Sequence, residues 1–170
     1  MGSLIQFYYR MTLLRAKPQD GPYSQALQIV LLVLCFLISV FTVLALYDLW
    51  PSIAHSVLDL AFLYLFTLVL LHNAKERIRQ TFCAFLGSGF IISVVNAISF
   101  HGLIENKNEE SISLFDLTVF FLIFSWTLLV YGHIVRHAVD VKLATGVGIV
   151  LGYTLITMIV RQMMASSLGF

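Results

Sequence analysis

Polar and ionisable side chains are scarce in the apolar stretches of this 170-residue chain, and six of them could share one site: His55, Asp59, Asn96, His101, Asp116 and Arg161. His55 and Asp59 stand four residues apart, so on a helix they share a face. Asp59 falls roughly 10 Å inside its stretch by helical rise. A charge at that depth is costly unless paired, so Arg161 is expected to meet Asp116 or Asp59. The plainest chemistry is an ion pair that fixes helix register. The alternatives are an outward-facing polar pocket handling a proton, ion or solute, and simple interfacial exposure. The polar groups gather near the two membrane faces and leave the midplane almost entirely apolar, whereas a transport path carries polar residues through the middle.

A second group has a different chemistry. His133 and His137 have the spacing that can hold a metal on a helix, but no carboxylate or cysteine completes a ligand set. At a headgroup boundary they read as anchors or as contacts to anionic lipid, together with Arg10, Arg15, Lys75, Arg77, Arg79 and Arg136. The two cysteines, Cys35 and Cys83, fall inside apolar stretches and are expected as buried small side chains. There is no HExxH, no GxSxG and no glycine-rich phosphate loop. A non-enzymatic protein without cofactor or metal is therefore expected.

The elements that must position these residues follow from composition. The chain is 59% hydrophobic and only 11% charged, with a mean hydropathy of +0.92, more apolar surface than a soluble domain of this length hides. Crossing the hydrocarbon core takes about 20 apolar residues, and five stretches qualify: about 25–47, 52–72, 80–100, 113–135 and 143–163. The predicted fold class is all-α, a polytopic transmembrane bundle of five spans (residues 25–170) preceded by an N-terminal interfacial segment (1–24). About 24 mixed residues precede the first stretch and no small-residue cleavage site follows Tyr47, so it is expected to stay as a helix.

Eight of the ten Lys and Arg residues fall on one side of such a bundle. By the positive-inside rule that side is cytoplasmic and holds the N-terminus, and the C-terminus faces outward. The acidic loop Glu105-Asn-Lys-Asn-Glu-Glu110 is expected to project outward as a solvated connector. A net charge of +1 argues against nucleic acid as a partner. Residues 4–15 mix apolar, aromatic and basic side chains at amphipathic spacing. They are expected to lie along the headgroups, rings in the interface and arginines toward phosphates. Pro18, Gly21 and Pro22 then break the helix, and Ser24 is the expected cap of the first span.

Helices in lipid associate through close packing and interhelical hydrogen bonds, which small residues permit. Ala84 and Ser88, Gly89 and Ser93, and Ser93 and Ala97 have that spacing on the third span; Gly148 and Gly152 form a GxxxG on the fifth. Spans three and five are therefore the expected centre, with the GxxxG as an alternative dimer interface. The fourth, with Phe115, Phe120, Phe121 and Phe124, is the expected lipid-facing or partner-facing surface.

Pro18-Gln-Asp-Gly-Pro-Tyr-Ser24, Arg79-Gln-Thr-Phe-Cys-Ala-Phe-Leu-Gly-Ser-Gly89, and the run from Trp126 through His133-Ile-Val-Arg136-His-Ala138 together resemble small bacterial inner-membrane proteins of the Yip1-like type. The resemblance implies five spans and membrane organisation by association, and supplies no site. The function expected is an accessory or scaffold subunit of the bacterial inner membrane. It would act on other integral membrane proteins or on its own copies within the lipid bilayer. The alternative is a small oligomeric transporter, channel or lipid-handling protein.

Overall fold

The computed structural model describes residues 2–22, 24–45, 47–105 and 114–168, with side chains at 4–22, 24–45, 47–99 and 114–163. Six α-helices run in chain order: α1 Gly2–Thr12, α2 Gln25–Val43, α3 Leu49–Leu70, α4 Ile78–Glu105, α5 Leu114–Val139 and α6 Leu143–Leu168. Two short 3-10 turns, Pro18–Asp20 and Lys75–Arg77, join them, and no strand occurs among the described residues. Helices α2 to α6 are each long and apolar enough to cross a membrane. The chain is an all-helical bundle of multi-pass membrane type, whose outward residues on α2, Ile29, Val30, Val33, Leu37 and Phe41, suit contact with lipid.

Local chemistry sets the ends. Ser24, in extended conformation, accepts a hydrogen bond from the Leu27 amide at 3.1 Å and caps α2. Helix α3 begins at Leu49, three residues before the expected start of the second stretch at 52, and takes Pro51 into its first turn, where proline's missing N–H would be unpaired in any case. Helix α5 runs on past the expected end at Val135 to Val139 and closes on Asp140 at φ 54°, with the Val141 amide donating to the Arg136 carbonyl. That six-to-one bond is a Schellman closure, and aspartate tolerates its left-handed residue better than most.

Helix α4 is the centre. Phe82, Cys83, Ala84, Phe85, Leu86 and Ser88 are all essentially buried, and α1, α2, α3 and α5 all pack on it. Helix α6 packs chiefly on α5. The crossing is made at Gly132 and Gly146: a Cβ at Gly146 would lie 2.4 Å from the Gly132 carbonyl oxygen, and one at Gly132 would lie 2.6 Å from Val147. The expectation that Gly148 and Gly152 would make the tight contact of the fifth span is overturned. Nothing lies within 4 Å of a Cβ at either. Close approach follows the face α6 turns to α5, and that face carries Gly146.

Helix α1 also departs from expectation. One face of it docks on the bundle instead of meeting the headgroups: Tyr8 and Met11 are buried against α4. Gly87 makes the room, since a Cβ there would lie 2.2 Å from the Tyr8 ring. Burial, and then the neighbouring Cys83 thiol, push the Tyr8 phenol above its ordinary pKa and keep it protonated. Leu4, Phe7 and Leu14 join the same packed face, while Ile5, Tyr9 and Leu13 point away. Leu14 ends the helix at φ 60° in a second Schellman closure, Arg15 N donating to the Arg10 carbonyl at 2.8 Å.

A line of hydrogen bonds then holds the descending chain in the crevice between α4 and α5. Trp126 Nε1 donates to the Thr12 carbonyl at 2.9 Å, His133 Nε2 to the Ala16 carbonyl at 3.0 Å, and Gln19 Nε2 to the His137 carbonyl. Gln80 Nε2 donates to the Gln19 carbonyl at 2.7 Å. The first two satisfy part-buried backbone acceptors at the end of α1 and in the irregular segment after it.

Candidate functional site: a polar cavity between the spanning helices

Three of the spanning helices turn a polar or small stripe toward one interior space. Helix α2 contributes Cys35 and Ser39, α4 contributes Gly89 and Ser93, and α6 contributes Tyr153, Thr157 and Arg161. All are spaced by four residues, so each set lies on one helix face. Asp59 and Leu63 of α3 and Tyr131 of α5 complete a cavity of about 230 Å³. At ~30 Å³ per water molecule that is space for about seven waters or one small solute.

Aromatic rings close one end of this space. Tyr153 stacks on Phe66 at 4.4 Å between centroids, Phe66 lies 5.9 Å from Phe85, and Phe85 meets Tyr131 edge-on at 5.0 Å. The run crosses α6, α3, α4 and α5 in turn, on the side nearer the N-terminal ends of α4 and α6. The polar lining extends from these rings toward the opposite membrane face. By helical rise Tyr153 lies about 15 Å from the start of α6, and Arg161 about 27 Å.

Asp59 and Arg161 meet near the far end. Arg161 Nε stands 3.4 Å from Asp59 Oδ1, with side chains about two-fifths and one-third exposed. The Nε atom is buried yet makes no hydrogen bond of good geometry, so this is an ion pair with an unsatisfied donor. The distance carries the attraction; the angle leaves the donor open to a better-placed acceptor. The charges cancel, and around them the lining offers hydroxyls, which both donate and accept. Cys35 Sγ donates to the Leu86 carbonyl at 3.1 Å, and a Cβ on Gly89 would come 2.6 Å from the Tyr131 hydroxyl.

The other sequence candidates fall elsewhere. His55 packs against Tyr47, with ring centroids 5.3 Å apart, instead of turning into the cavity with Asp59. Asn96 and Asp116 are half-buried and do not line it. The His101 side chain lies outside the described residues, as does the acidic loop from 106 to 110. Ala84 and Ser88 are buried in the core, whereas Gly89 and Ser93, read from the sequence as packing residues, face the cavity. Sequence reading passed over Ser39, Tyr131, Tyr153, Thr154 and Thr157. Their signal was the four-residue spacing of Tyr153, Thr157 and Arg161 along one apolar helix. An almost apolar midplane is therefore corrected: hydroxyls and a thiol reach from the ion pair into the middle of the bundle.

At the N-terminal face, His133 and His137 lie ring to ring, 4.6 Å between centroids. No group of three or more metal-ligating side chains occurs there or elsewhere among the described residues. Arg77 Nη1 lies 3.4 Å from both Asp140 Oδ2 and the Ala138 carbonyl, while Arg10, Arg15, Lys75, Arg79 and Arg136 are exposed. No protein-family model, no curated protein and no solved structure matches the chain.

Proposed function

We propose that this membrane protein binds a small polar solute without net charge in the cavity between α2, α3, α4, α5 and α6, as a transporter or solute receptor of the inner membrane. The observation that carries the reading is the Asp59–Arg161 pair set among Ser39, Ser93, Tyr131, Tyr153 and Thr157. A self-neutral ion pair does not select a bare ion. Its open guanidinium donors and carboxylate acceptor suit a zwitterion or polyol able to bridge both. The lining pairs Asp59 with Arg161 and, among the described residues, brings no second carboxylate beside it, an arrangement suited to binding. With the basic face cytoplasmic, the polar end of the cavity opens outward.

The test is thermal unfolding of the purified full chain against a panel of small zwitterions, polyols and inorganic ions. A ligand at about 100 times its Kd stabilises by about 2.7 kcal/mol, so one chemical class should raise Tm by several degrees. Asp59→Asn and Arg161→Gln should each remove that shift. No response from any class, or an equal response in both variants, defeats the reading.

A second reading is association with other membrane proteins or a second copy, in line with the Yip1-like resemblance. The open face of α6 at Gly148 and Gly152 supports it. Purification in native nanodiscs followed by mass spectrometry separates the two. A stoichiometric second protein, with no solute response, supports association.

A further inference from the structure

We propose that the cleft between α2, α3 and the start of α4 is a specific phospholipid site that takes the phosphodiester of a lipid headgroup. The cleft holds about 390 Å³ and lies at the N-terminal face, apart from the cavity described above. Lys75 and Arg79 line its polar end, four residues apart across the 3-10 turn and the first turn of α4. Tyr64, Leu68 and Phe82 wall the apolar end, with the Tyr64 and Phe82 rings in edge contact at 5.2 Å. Charge above and apolar wall below match a phosphate above glycerol and an acyl chain.

The arrangement of the neighbouring charges selects this cleft among the basic positions of the chain. Arg77, in the same turn, is engaged by Asp140 and the Ala138 carbonyl on the α5 side. Among the described residues, neither Lys75 nor Arg79 has an ion-pair partner. Glu76 also lines the cleft, so two cations and one anion leave it at +1. That suits a singly charged phosphodiester better than a phosphate monoester. Gln28 of α2 adds an amide donor.

The test measures phospholipid retained by the full chain after mild detergent purification, by mass spectrometry. The delipidated protein is then titrated with short-chain phosphatidylglycerol and, separately, with inorganic phosphate, following thermal unfolding. Wild type should retain stoichiometric phospholipid, and K75Q/R79Q should bind the short-chain lipid about thirtyfold more weakly. R10Q/R136Q, which removes two exposed cations outside the cleft, should behave as wild type. Should K75Q/R79Q fail to fold, Leu68→Trp fills the apolar wall without touching a charge and should displace the lipid. Undiminished lipid binding in K75Q/R79Q or Leu68→Trp overturns the site. Stabilisation by inorganic phosphate equal to that by short-chain lipid overturns the lipid as its ligand.

Discussion

Asp59 and Arg161 each make the other tolerable. An isolated charge in this setting would face apolar surroundings on several sides, and its partner at 3.4 Å removes most of that cost. The pair lies toward the far membrane face, with Arg161 about 27 Å along α6 by helical rise, where water and headgroups relieve part of the charge, so the penalty for breaking it falls below the 3–5 kcal/mol typical of full burial. Asp59→Asn or Arg161→Gln should each cost about 1–2 kcal/mol, and the double variant should cost less than the sum of the two, which a double-mutant cycle on unfolding reads directly. An additive cycle would mean that the pair contributes nothing. Gly89 poses a different test. A methyl there meets only the far end of the Tyr131 side chain, which can yield, so Gly89→Ala should leave stability within about 1 kcal/mol. The displaced hydroxyl should nevertheless weaken solute binding about tenfold. A stable variant with unchanged affinity would remove Tyr131 from the binding surface.

Helices meet here where glycine lets backbone approach backbone, and the structure separates glycines that do so from those that do not. At Gly146 an added methyl would press on the Gly132 carbonyl, an atom that cannot rotate away. Gly146→Ala should therefore cost about 1–3 kcal/mol. Gly148→Ala, four Å clear of any neighbour, should instead stabilise by about 0.5–1 kcal/mol through helix propensity. Thermal unfolding of the two variants in one detergent checks the pair of signs, and a loss at Gly148 would point to a covered face. Helix α1 is held by a narrower set of contacts. Tyr8→Ala empties the slot over Gly87 and should cost about 3 kcal/mol, whereas Ile5→Ala, at an exposed position beside the docked face, should change stability by no more than about 0.5 kcal/mol. If the two variants unfold together, α1 is not docked as described.

Across the whole molecule, what could be read from the sequence is what hydropathy and charge encode. Five apolar stretches became five long helices because each stretch must satisfy its own backbone within lipid, and Ser24 capped the first because its hydroxyl precedes three bare amides. The burial of Ala84 and Ser88 followed from small-residue spacing. The cavity was hidden for a physical reason: Tyr131, Tyr153 and Cys35 count among the hydrophobic residues of the composition, yet each carries a polar atom whose direction depends on neighbouring helices. The docking of α1 was hidden likewise, since the space above Gly87 exists only once α4 has been packed. The same separation of faces determines how the cavity should be reached. Its aromatic end lies toward the basic face and its ion pair toward the other, so an impermeant thiol reagent should find the two ends unequally. With Cys35→Ser removing the thiol that lines the cavity, Thr157→Cys should react in intact cells, and Lys75→Cys only after the membrane is made permeable. Excess solute of the class that raises Tm should slow the first reaction and not the second. Reaction of Lys75→Cys in intact cells would reverse the orientation assigned from the basic residues. Protection of Thr157→Cys under every condition would mean that the cavity is closed to the outer side, leaving it a packing defect between α3 and α6 with no route for a solute.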